Sequence, residues 1–290
     1  MKKYRFEKWN VAFRYKDEKS FSSDKEFVSI QNPLFYWAAD PFVFFIDQKY
    51  YIFAELYNRL TFHGEIMFCT IDSNGNVSRW KKALKTKCHL SFPYVYRGGN
   101  DIYMMPESSK GESIDIYKAI VFPHKWIKIE TIMNGVRYAD SIFLDDKHIL
   151  TYDNDSKCRK YIFLEQKNNS WKIMSVNQDS EVIFRPAGKA FLVESKMYLP
   201  LQNSSNGEYG GAVHFVEFNV SDFKFSPDVF SFQPKTTRIK GVDSTKVLGI
   251  HTYNFDRDIE VIDYKMRTFN FLSLIGYYFN KIFKKKGQKN

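Results

Sequence analysis

The chain has 290 residues, of which 44% are hydrophobic and 18% aromatic, including 28 Phe and 19 Tyr. This is enough apolar side chain for a sizeable core, and aromatic residues favour strands and also stack against sugar rings. The cysteines, Cys69, Cys88 and Cys158, form neither a disulfide framework nor a zinc knuckle. The opening MKKYRFEKWN lacks the apolar run of a secretory signal, so we expect a cytoplasmic protein.

The formal net charge of +10 is concentrated at one end of the chain. Residues 267–290 contain six basic residues and no acid, which leaves 10 − 6 = +4 for the remainder. Nucleic-acid binding would need basic residues interleaved along the fold, so we do not expect it.

In chain order, a unit of about fifty residues recurs. Its four clearest copies are ADPFVFFIDQKYYIFAE (39–55), SFPYVYRGGNDIYMMPE (91–107), ADSIFLDDKHILTYD (139–153) and RPAGKAFLVESKMYLPLQ (185–202). Each copy predicts two alternating strands joined by a tight turn, at Asp47-Gln48, Gly98-Gly99-Asn100, Asp145-Asp146 and Glu194-Ser195. Trp80, Trp126 and Trp171 keep the same period and predict outer strands.

A fifth copy follows, with KVLGIHTYN (246–254) and IEVIDYKMRTF (259–269) as its first two strands. The stretch around Trp9, near the start of the chain, resembles the other tryptophan strands and can supply an outer strand. We therefore predict an all-β fold, a five-bladed β-propeller over residues 1–266 whose last blade is closed by the N-terminal strand. A two-sheet sandwich is the alternative.

The remaining residues, 267–290, predict a short amphipathic helix. Phe269, Leu272, Ile275 and Phe279 recur at helical spacing before a cluster of lysines. The apolar stretch is too short and interrupted to span a bilayer, but it suits the surface of an anionic membrane. Packing of this helix against the propeller is the other interpretation.

The innermost strands of a propeller line its axis, so equivalent repeat positions converge there. The first strands offer Asp40, Ser91 or Phe92, Asp140 and Arg185, and the second strands offer Glu55, Glu107, Asp153 and Gln202. The fifth copy adds His251 and Thr252, and His63 and His89 flank these positions. Such a set suits sugar chemistry, with one carboxylate as base, a second as acid and Arg185 on a phosphate or carboxylate. Each acid is equally interpretable as a turn cap. Zinc spacing and a glycine-rich phosphate loop are missing, so no metal or cofactor is predicted.

Several motifs occur together in order: WAADPFVF, YYIFAE, HGEI, CHLSFPYVY, YMMPE, ADS, RPAG, Q-x6-YG and IHTYN. Over residues 37–254 this series resembles the glycosidase-like propeller domain at the N-terminus of plant glucosamine inositolphosphorylceramide transferases. The same domain occurs in bacterial surface-polysaccharide proteins. From the repeat positions and these motifs we expect substrate contacts from Glu55, His63, His89, Arg185, Gln202, Tyr209 and His251.

More distantly, the chain resembles family-43 glycoside hydrolases, which implies that Asp40 is the base and that Asp140 tunes its pKa. The acid of those enzymes lies in the fourth blade, where this chain has Arg185-Pro186-Ala187-Gly188. Glu107 would then have to serve as the acid.

The leading hypothesis is a glycosyltransferase that uses a sugar nucleotide to build a bacterial surface polysaccharide on a lipid-linked acceptor, at the inner face of the membrane. A phosphate leaving group needs no strong acid, which fits the missing glutamate. The alternatives are a furanosidase-type hydrolase and a glycan-binding propeller without catalysis.

Overall fold

Strand hairpins of alternating apolar and polar residues build the molecule, and the computed structural model describes residues 6–16, 25–153, 160–177, 184–204 and 209–268. The paired strands form five sheets, which are the five blades of a propeller. The predicted all-β, five-bladed fold is confirmed, and the two-sheet sandwich is excluded. The predicted C-terminal helix lies outside the described residues.

The strands are numbered in chain order. The first two, β1 (Phe6–Tyr15) and β2 (Val28–Ser29), belong to blade 5. Blade 1 contains β3 (Tyr36–Ile46), β4 (Lys49–Asn58), β5 (His63–Ile71) and β6 (Lys81–Leu84). Blade 2 contains β7 (Ser91–Gly98), β8 (Asp101–Glu107), β9 (Ser113–Val121) and β10 (Lys125–Asn134).

Blade 3 contains β11 (Tyr138–Phe143), β12 (His148–Asp153), β13 (Lys160–Lys167) and β14 (Ser170–Asn177). Blade 4 contains β15 (Arg185–Pro186), β16 (Phe191–Val193), β17 (Lys196–Asn203), β18 (Ala212–Asn219) and β19 (Lys224–Phe232). Blade 5 is completed by β20 (Val247–Gly249), β21 (Tyr253–Asp256) and β22 (Ile259–Thr268). Single 3-10 turns occur at Ser109–Gly111 and Ser244–Lys246. No helix of the described ranges is long and apolar enough to cross a membrane.

Closure of the ring joins the two ends of the described chain. Strand β1 pairs with β22 from Phe6 opposite Thr268 to Tyr15 opposite Ile259. A buried ion pair of 2.5 Å between Arg14 Nε and Glu260 Oε2 fastens the two strands. The predicted closure by the N-terminal strand is therefore confirmed. Strand β22 continues to Thr268, two residues beyond the predicted domain boundary.

The position of β1 differs from the prediction in one respect. It is the third strand of blade 5, and the two-residue strand β2 lies outside it. Trp80 immediately precedes outer strand β6, and Trp126 and Trp171 lie in the outermost strands of their blades, as predicted. Trp9 therefore lies in an interior strand of its blade, where its ring stacks on His251.

Every hairpin between the first two strands of a blade turns on the same side of the ring, which we call the turn face. It carries Asp47-Gln48, Gly99-Asn100, Asp145-Asp146, Glu194-Ser195 and Arg257-Asp258. Between this face and the opposite one, the axis is filled by apolar side chains. Phe42 and Phe92 are buried there, edge to face, with ring centroids 4.8 Å apart. The axis therefore presents two separate mouths.

Candidate functional site

The first strands of blades 1, 2 and 3 carry the same irregularity. Their pairing with the second strand slips at Asp40, Phe92 and Asp140, and the φ angles of these residues are 52°, 44° and 51°. A bulge of this kind re-aims a side chain. Aspartate tolerates a left-handed backbone better than phenylalanine does. The structure thus selects Phe92, rather than Ser91, as the counterpart of the two aspartates.

Asp40 lies at the centre of the mouth opposite the turn face. Its Oδ1 accepts a hydrogen bond of 2.9 Å from the Thr252 hydroxyl, and its Oδ2 accepts one of 3.3 Å from the Phe92 N–H. Burial raises the pKa of Asp40, the nearby His251 opposes this, and the charges of Asp263 and Asp140 raise the pKa further. Asp40 is a poised carboxyl group that can take up a proton.

Asp263 is the functional residue that sequence analysis missed. This fully buried carboxylate accepts hydrogen bonds from the backbone N–H groups of Asp40, His251 and Thr252, at 2.9, 3.0 and 3.0 Å. It also lies 2.5 Å from His251 Nδ1. The signal that could have found it is its place in the second strand of blade 5, where blades 1 and 2 have Glu55 and Glu107.

His251 contacts Trp9 through the face of its ring and Asp40 through Nε2. Its ring stacks on Trp9 with centroids 3.9 Å apart, and its Nε2 lies 3.7 Å from Asp40 Oδ1. Burial alone would lower the pKa of His251, but the charges of Asp263 and Asp40 outweigh burial and raise it. Gly210 makes the stacking possible, because a Cβ there would lie 2.6 Å from His251 Cβ and 2.9 Å from Trp9.

Asp40, His251 and Asp263 are also the one group, among the described residues, with three potential metal-ligand atoms within 4.8 Å of one another. Both oxygens of Asp263 already accept two close contacts each, and Asp40 accepts bonds from Thr252 and Phe92. A cation would have to displace these donors. The hydrogen bonds account for the arrangement without one.

Arg185, from blade 4, is clamped between carboxylates of blades 2 and 3. Its Nε lies 2.6 Å from Asp140 Oδ2 and its Nη2 lies 3.0 Å from Glu107 Oε2. Glu107 Oε2 also accepts the Asp140 N–H at 3.3 Å. We call the opening formed by Asp40, Glu107, Asp140 and Arg185 the carboxylate mouth.

The contacts between Arg185 and its carboxyl partners shift the pKa values of both Asp140 and Arg185. Burial raises the pKa of Asp140, Arg185 opposes the rise, and Glu107 adds to it, with a net value of about 8. Burial by itself would lower the pKa of Arg185, but the charges of Asp140 and its neighbours raise it well above its ordinary value. Arg185 therefore contacts both carboxyl groups, and Asp140 is a carboxyl that can carry a proton near neutral pH.

Tyr209 connects the two halves of the carboxylate mouth. Its ring meets the His251 ring edge to face, with centroids 5.5 Å apart, and its hydroxyl lies 3.5 Å from Arg185 Nη1. Half of the Tyr209 side chain remains exposed. The ring can therefore contact a ligand that enters between Asp40 and Arg185.

Glu55 and His89 form a second buried pair beside Asp40. The Gly64 N–H donates to His89 Nδ1 at 3.0 Å, so Nε2 carries the ring proton, and Nε2 lies 3.0 Å from Glu55 Oε1. Burial raises the pKa of Glu55, and its bond to His89 lowers it. His63 lies at the rim, where Nε2 contacts the Thr86 carbonyl at 3.2 Å.

Gln202 pairs directly with Arg185 across β15 and β17. Its Nε2 is buried and has no hydrogen-bond partner among the residues that the structure describes. A buried amide donor without a partner is costly, which favours a ligand acceptor at this point. The ten residues predicted for the site thus surround one mouth, with His63 farthest out, while their roles in binding and catalysis stay predictions.

Asp153, one of the second-strand positions considered, is displaced by one residue. In β12 it is Tyr152 that pairs with Ala139, whereas Asp153 pairs with Tyr138 and lies 3.5 Å from Lys160. A one-residue slip turns a side chain to the other face of a sheet. Asp153 therefore belongs to an ion pair outside the carboxylate mouth.

Residues 26–227 match the family model described as "Glucosamine inositolphosphorylceramide transferase 1, N-terminal". The chain belongs to this family. The similar glucosamine inositolphosphorylceramide transferase 1 of Oryza sativa subsp. indica is 27% identical over 194 residues, which is 61% of this chain and 25% of the rice protein. The Arabidopsis thaliana protein of the same name is 33% identical over 112 residues, 38% of this chain and 14% of that protein. The chain thus spans at most about a quarter of these relatives.

Solved structures share the fold at low identity. The α-L-arabinofuranosidase PaAbf62A of Podospora anserina, in complex with cellotriose, superimposes with a TM-score of 0.58 at 11% identity, covering 78% of this chain and 90% of that one. The GH62 α-L-arabinofuranosidase catalytic domain of Coprinopsis cinerea gives 0.54 at 11%, covering 90% and 96%. A GH43 β-xylosidase/α-arabinofuranosidase from a compost metagenome gives 0.53 at 13%, covering 78% and 83%. These likenesses establish the propeller architecture.

Proposed function

We propose that this propeller transfers a sugar from a sugar nucleotide to a lipid-linked acceptor. The observation that carries the proposal is the Arg185 clamp. Blade 4 places a guanidinium between Asp140 and Glu107, where the distant resemblance to hydrolases implies an acid. A phosphate leaving group needs positive charge more than a proton, and a fixed guanidinium supplies it.

Arg185 and Asp40 lie in different halves of the carboxylate mouth and would have different roles. Among the described residues, the one hydrogen-bond contact of Arg185 Nη1 is with Tyr209 at 3.5 Å, so this edge of the guanidinium can meet a phosphate oxygen. Asp40 has hydrogen bonds that hold its carboxyl in place, and it can stabilise positive charge at the sugar carbon or accept the acceptor's hydroxyl proton. The Gln202 amide offers a donor for a sugar hydroxyl.

Two cations at the rim can guide an entering phosphate towards Arg185. Five carboxylates lie at the centre: Asp40, Glu55, Glu107, Asp140 and Asp263. Lys8 and Arg59 lie towards the rim on the same side, where burial, and then the charge of Arg59, lowers the pKa of Lys8. Both cations attract an anion that approaches this side of the mouth.

In the cell, we place this reaction in bacterial surface-polysaccharide assembly at the inner face of the membrane. Two features support this: the basic, aromatic stretch of residues 269–290, and the name of the plant relatives, which describes a transferase with an inositolphosphorylceramide substrate. That stretch lies outside the described residues, and the lipid-linked acceptor is part of the proposal.

A second function, hydrolysis of a furanoside, is favoured by one specific observation. Asp140, with its pKa raised to about 8, can donate a proton to a leaving group at neutral pH. Asp140 would then be the acid, and its 2.6 Å contact with Arg185 Nε would have to open for the proton transfer.

The test is a panel of sugar nucleotides and aryl furanosides, assayed for released nucleotide and released phenol. We expect nucleotide release that the Asp40→Asn variant loses, because Asn keeps the shape of Asp but cannot carry the charge. The matched control is Asp258→Asn, an exposed acid on the turn face. Phenol release would establish the hydrolase instead. Retained glycan binding by Asp40→Asn, with no turnover by either protein, would indicate a binding module.

A further inference from the structure

Lys189 lies on the propeller axis at the turn face, where aromatic rings from two other blades surround its ammonium group. It follows β15 of blade 4, yet its Nζ lies 5.5 Å from the ring centroid of Tyr94 in blade 2 and 6.0 Å from that of Phe44 in blade 1. A side chain that reaches from blade 4 to blades 1 and 2 must cross the axis. Among the described residues, Lys189 has no carboxylate within ion-pair distance.

The backbone around Lys189 is fixed. Its N–H donates to Asn254 Oδ1 at 2.8 Å, and the Tyr253 N–H donates to the Ala187 carbonyl at 2.8 Å. Gly188 is required for this approach, because a Cβ there would lie 1.9 Å from the Tyr253 carbonyl oxygen. The ammonium group is therefore presented by a rigid support and not by a loose surface chain.

A cavity of about 190 Å³ opens at this point, lined by Lys189, Ala190, Phe191, Tyr253, Asn254 and Phe255. Arg97 lies on the same ring of Phe44, with its Cζ 5.8 Å from the centroid, and it too lacks an ion pair among the described residues. Two unpaired cations therefore share one aromatic side chain at one mouth.

The other charged and titratable groups around Lys189 do not neutralise it. Asp256 Oδ2 accepts the Phe45 N–H at 2.7 Å, and its charge only partly offsets the effect of burial on the pKa of Lys189, which falls to about 8. The Tyr94 hydroxyl bonds to the Phe143 backbone. Burial and the unpaired charge both favour the arrival of an anion.

We propose that the turn-face mouth is an oxyanion site, where Lys189 and Arg97 bind a phosphate or carboxylate group of a small ligand. A second cavity of about 550 Å³ adjoins it and shares Ala190 and Phe191. Its wall includes Tyr96, Phe143 and Trp171, and its size suits a ligand with a sugar ring. Of its acids, Glu130 bonds to the Trp171 indole and Asp145 to His148, which leaves Asp146 at the edge. This site does not depend on the function proposed for the carboxylate mouth.

The first experiment is competitive acetylation of lysines, read by peptide mass spectrometry, with inorganic phosphate, glucuronate or glucose present. Without an anion, Lys189 should react on the order of tenfold or more faster at pH 7 than Lys118, which is paired with Asp101. Phosphate, glucuronate or both should slow the acetylation of Lys189, by about tenfold for each unit by which the bound anion raises the pKa of Lys189. Lys118 should not change, and glucose should have no effect. Protection by phosphate alone identifies a phosphate ligand, and protection by glucuronate alone a carboxylate.

The second experiment measures binding of whichever anion protects, by calorimetry. Lys189→Met keeps the length of the stem and should abolish binding, while Lys189→Arg should retain it. Arg97→Gln, at an exposed position, should fold normally and weaken binding. Equal labelling of Lys189 with and without both anions, or unchanged binding by Lys189→Met or by Arg97→Gln, would overturn the proposal.

Discussion

Replacement of Asp263 by asparagine should damage both the stability of the ring and the geometry of the carboxylate mouth. The two oxygens of Asp263 serve four donors: three backbone N–H groups and His251 Nδ1. Asparagine keeps one oxygen and turns the other position into an NH2 group, so about two buried donors lose their acceptor. At ~1–3 kcal/mol for each unsatisfied donor, the loss is about 2–6 kcal/mol.

This loss corresponds to a fall in Tm of roughly 4–24 °C, since each kcal/mol shifts a domain of this size by about 2–4 °C. The assay is thermal unfolding of Asp263→Asn beside Asp258→Asn, an exposed acid just before the same strand. Asp258→Asn should stay near wild type. A Tm for Asp263→Asn within about 1 °C of wild type would refute the hydrogen-bond network.

The difference between wild type and Asp263→Asn should also depend on pH. His251 has a raised pKa in the folded protein, in which the charge of Asp263 opposes the effect of burial. Such a group stabilises the fold below its ordinary pKa of about 6.5, and this contribution disappears as pH rises through the folded-state value. The gap in Tm should therefore be larger at pH 6 than at pH 9. A constant gap would mean that His251 is not coupled to Asp263.

Three further predictions concern other parts of the molecule. Gly64→Ala should lower Tm and disturb the Glu55–His89 pair, seen in the imidazole NMR signals, because the new Cβ would lie 2.6 Å from His89 Cε1 and 2.8 Å from Glu55 Oε1; an unchanged spectrum would contradict this. Asp140 has a pKa raised to about 8, so the Tm of wild type should fall relative to that of Asp140→Asn as the pH is raised from about 4 to about 8. Tm curves of the two proteins that stay parallel over this range would contradict this. Truncation after Thr268 should leave Tm unchanged but reduce co-sedimentation with anionic vesicles, since each of the five lysines removed contributes about 1 kcal/mol near such a surface; equal pelleting would contradict it.

The fold was largely predictable from the sequence because the same strand-turn-strand pattern recurs in each blade. Two alternating strands around a polar turn recur in four copies, and a weak fifth copy completes the ring. The strand that closes the ring was correctly identified from Trp9, but the environment of Trp9 was not predicted. Sequence similarity to the other tryptophan strands could not reveal that β1 is an interior strand or that Trp9 stacks on His251.

The candidate site was predictable only where the repeat register is regular. Asp40 and Asp140 occupy equivalent bulges, so aligning the copies placed them correctly. Asp153 was misplaced because the bulge and the tighter turn shift β12 by one residue. The residue types in this stretch do not indicate such a shift. Asp263 was missed because the first strand of blade 5 is broken around His251, so its register could not be counted from the sequence.

Lys189 illustrates a different limit. It follows a motif, RPAG, and nothing in that motif indicates that the next side chain crosses the axis. Its position depends on Gly188 fitting against the Tyr253 carbonyl and on two aromatic rings from other blades. Such contacts arise only from the closed ring.

The most direct test of glycosyl transfer at the carboxylate mouth is turnover of the sugar-nucleotide panel in ¹⁸O-water, with a lipid-linked acceptor present. Mass spectrometry of the products would show where the sugar goes. We predict release of nucleotide, appearance of the sugar on the acceptor without ¹⁸O, and loss of both in Asp40→Asn. Free sugar carrying ¹⁸O as the main product, or transfer that persists unchanged in Asp40→Asn, would contradict it.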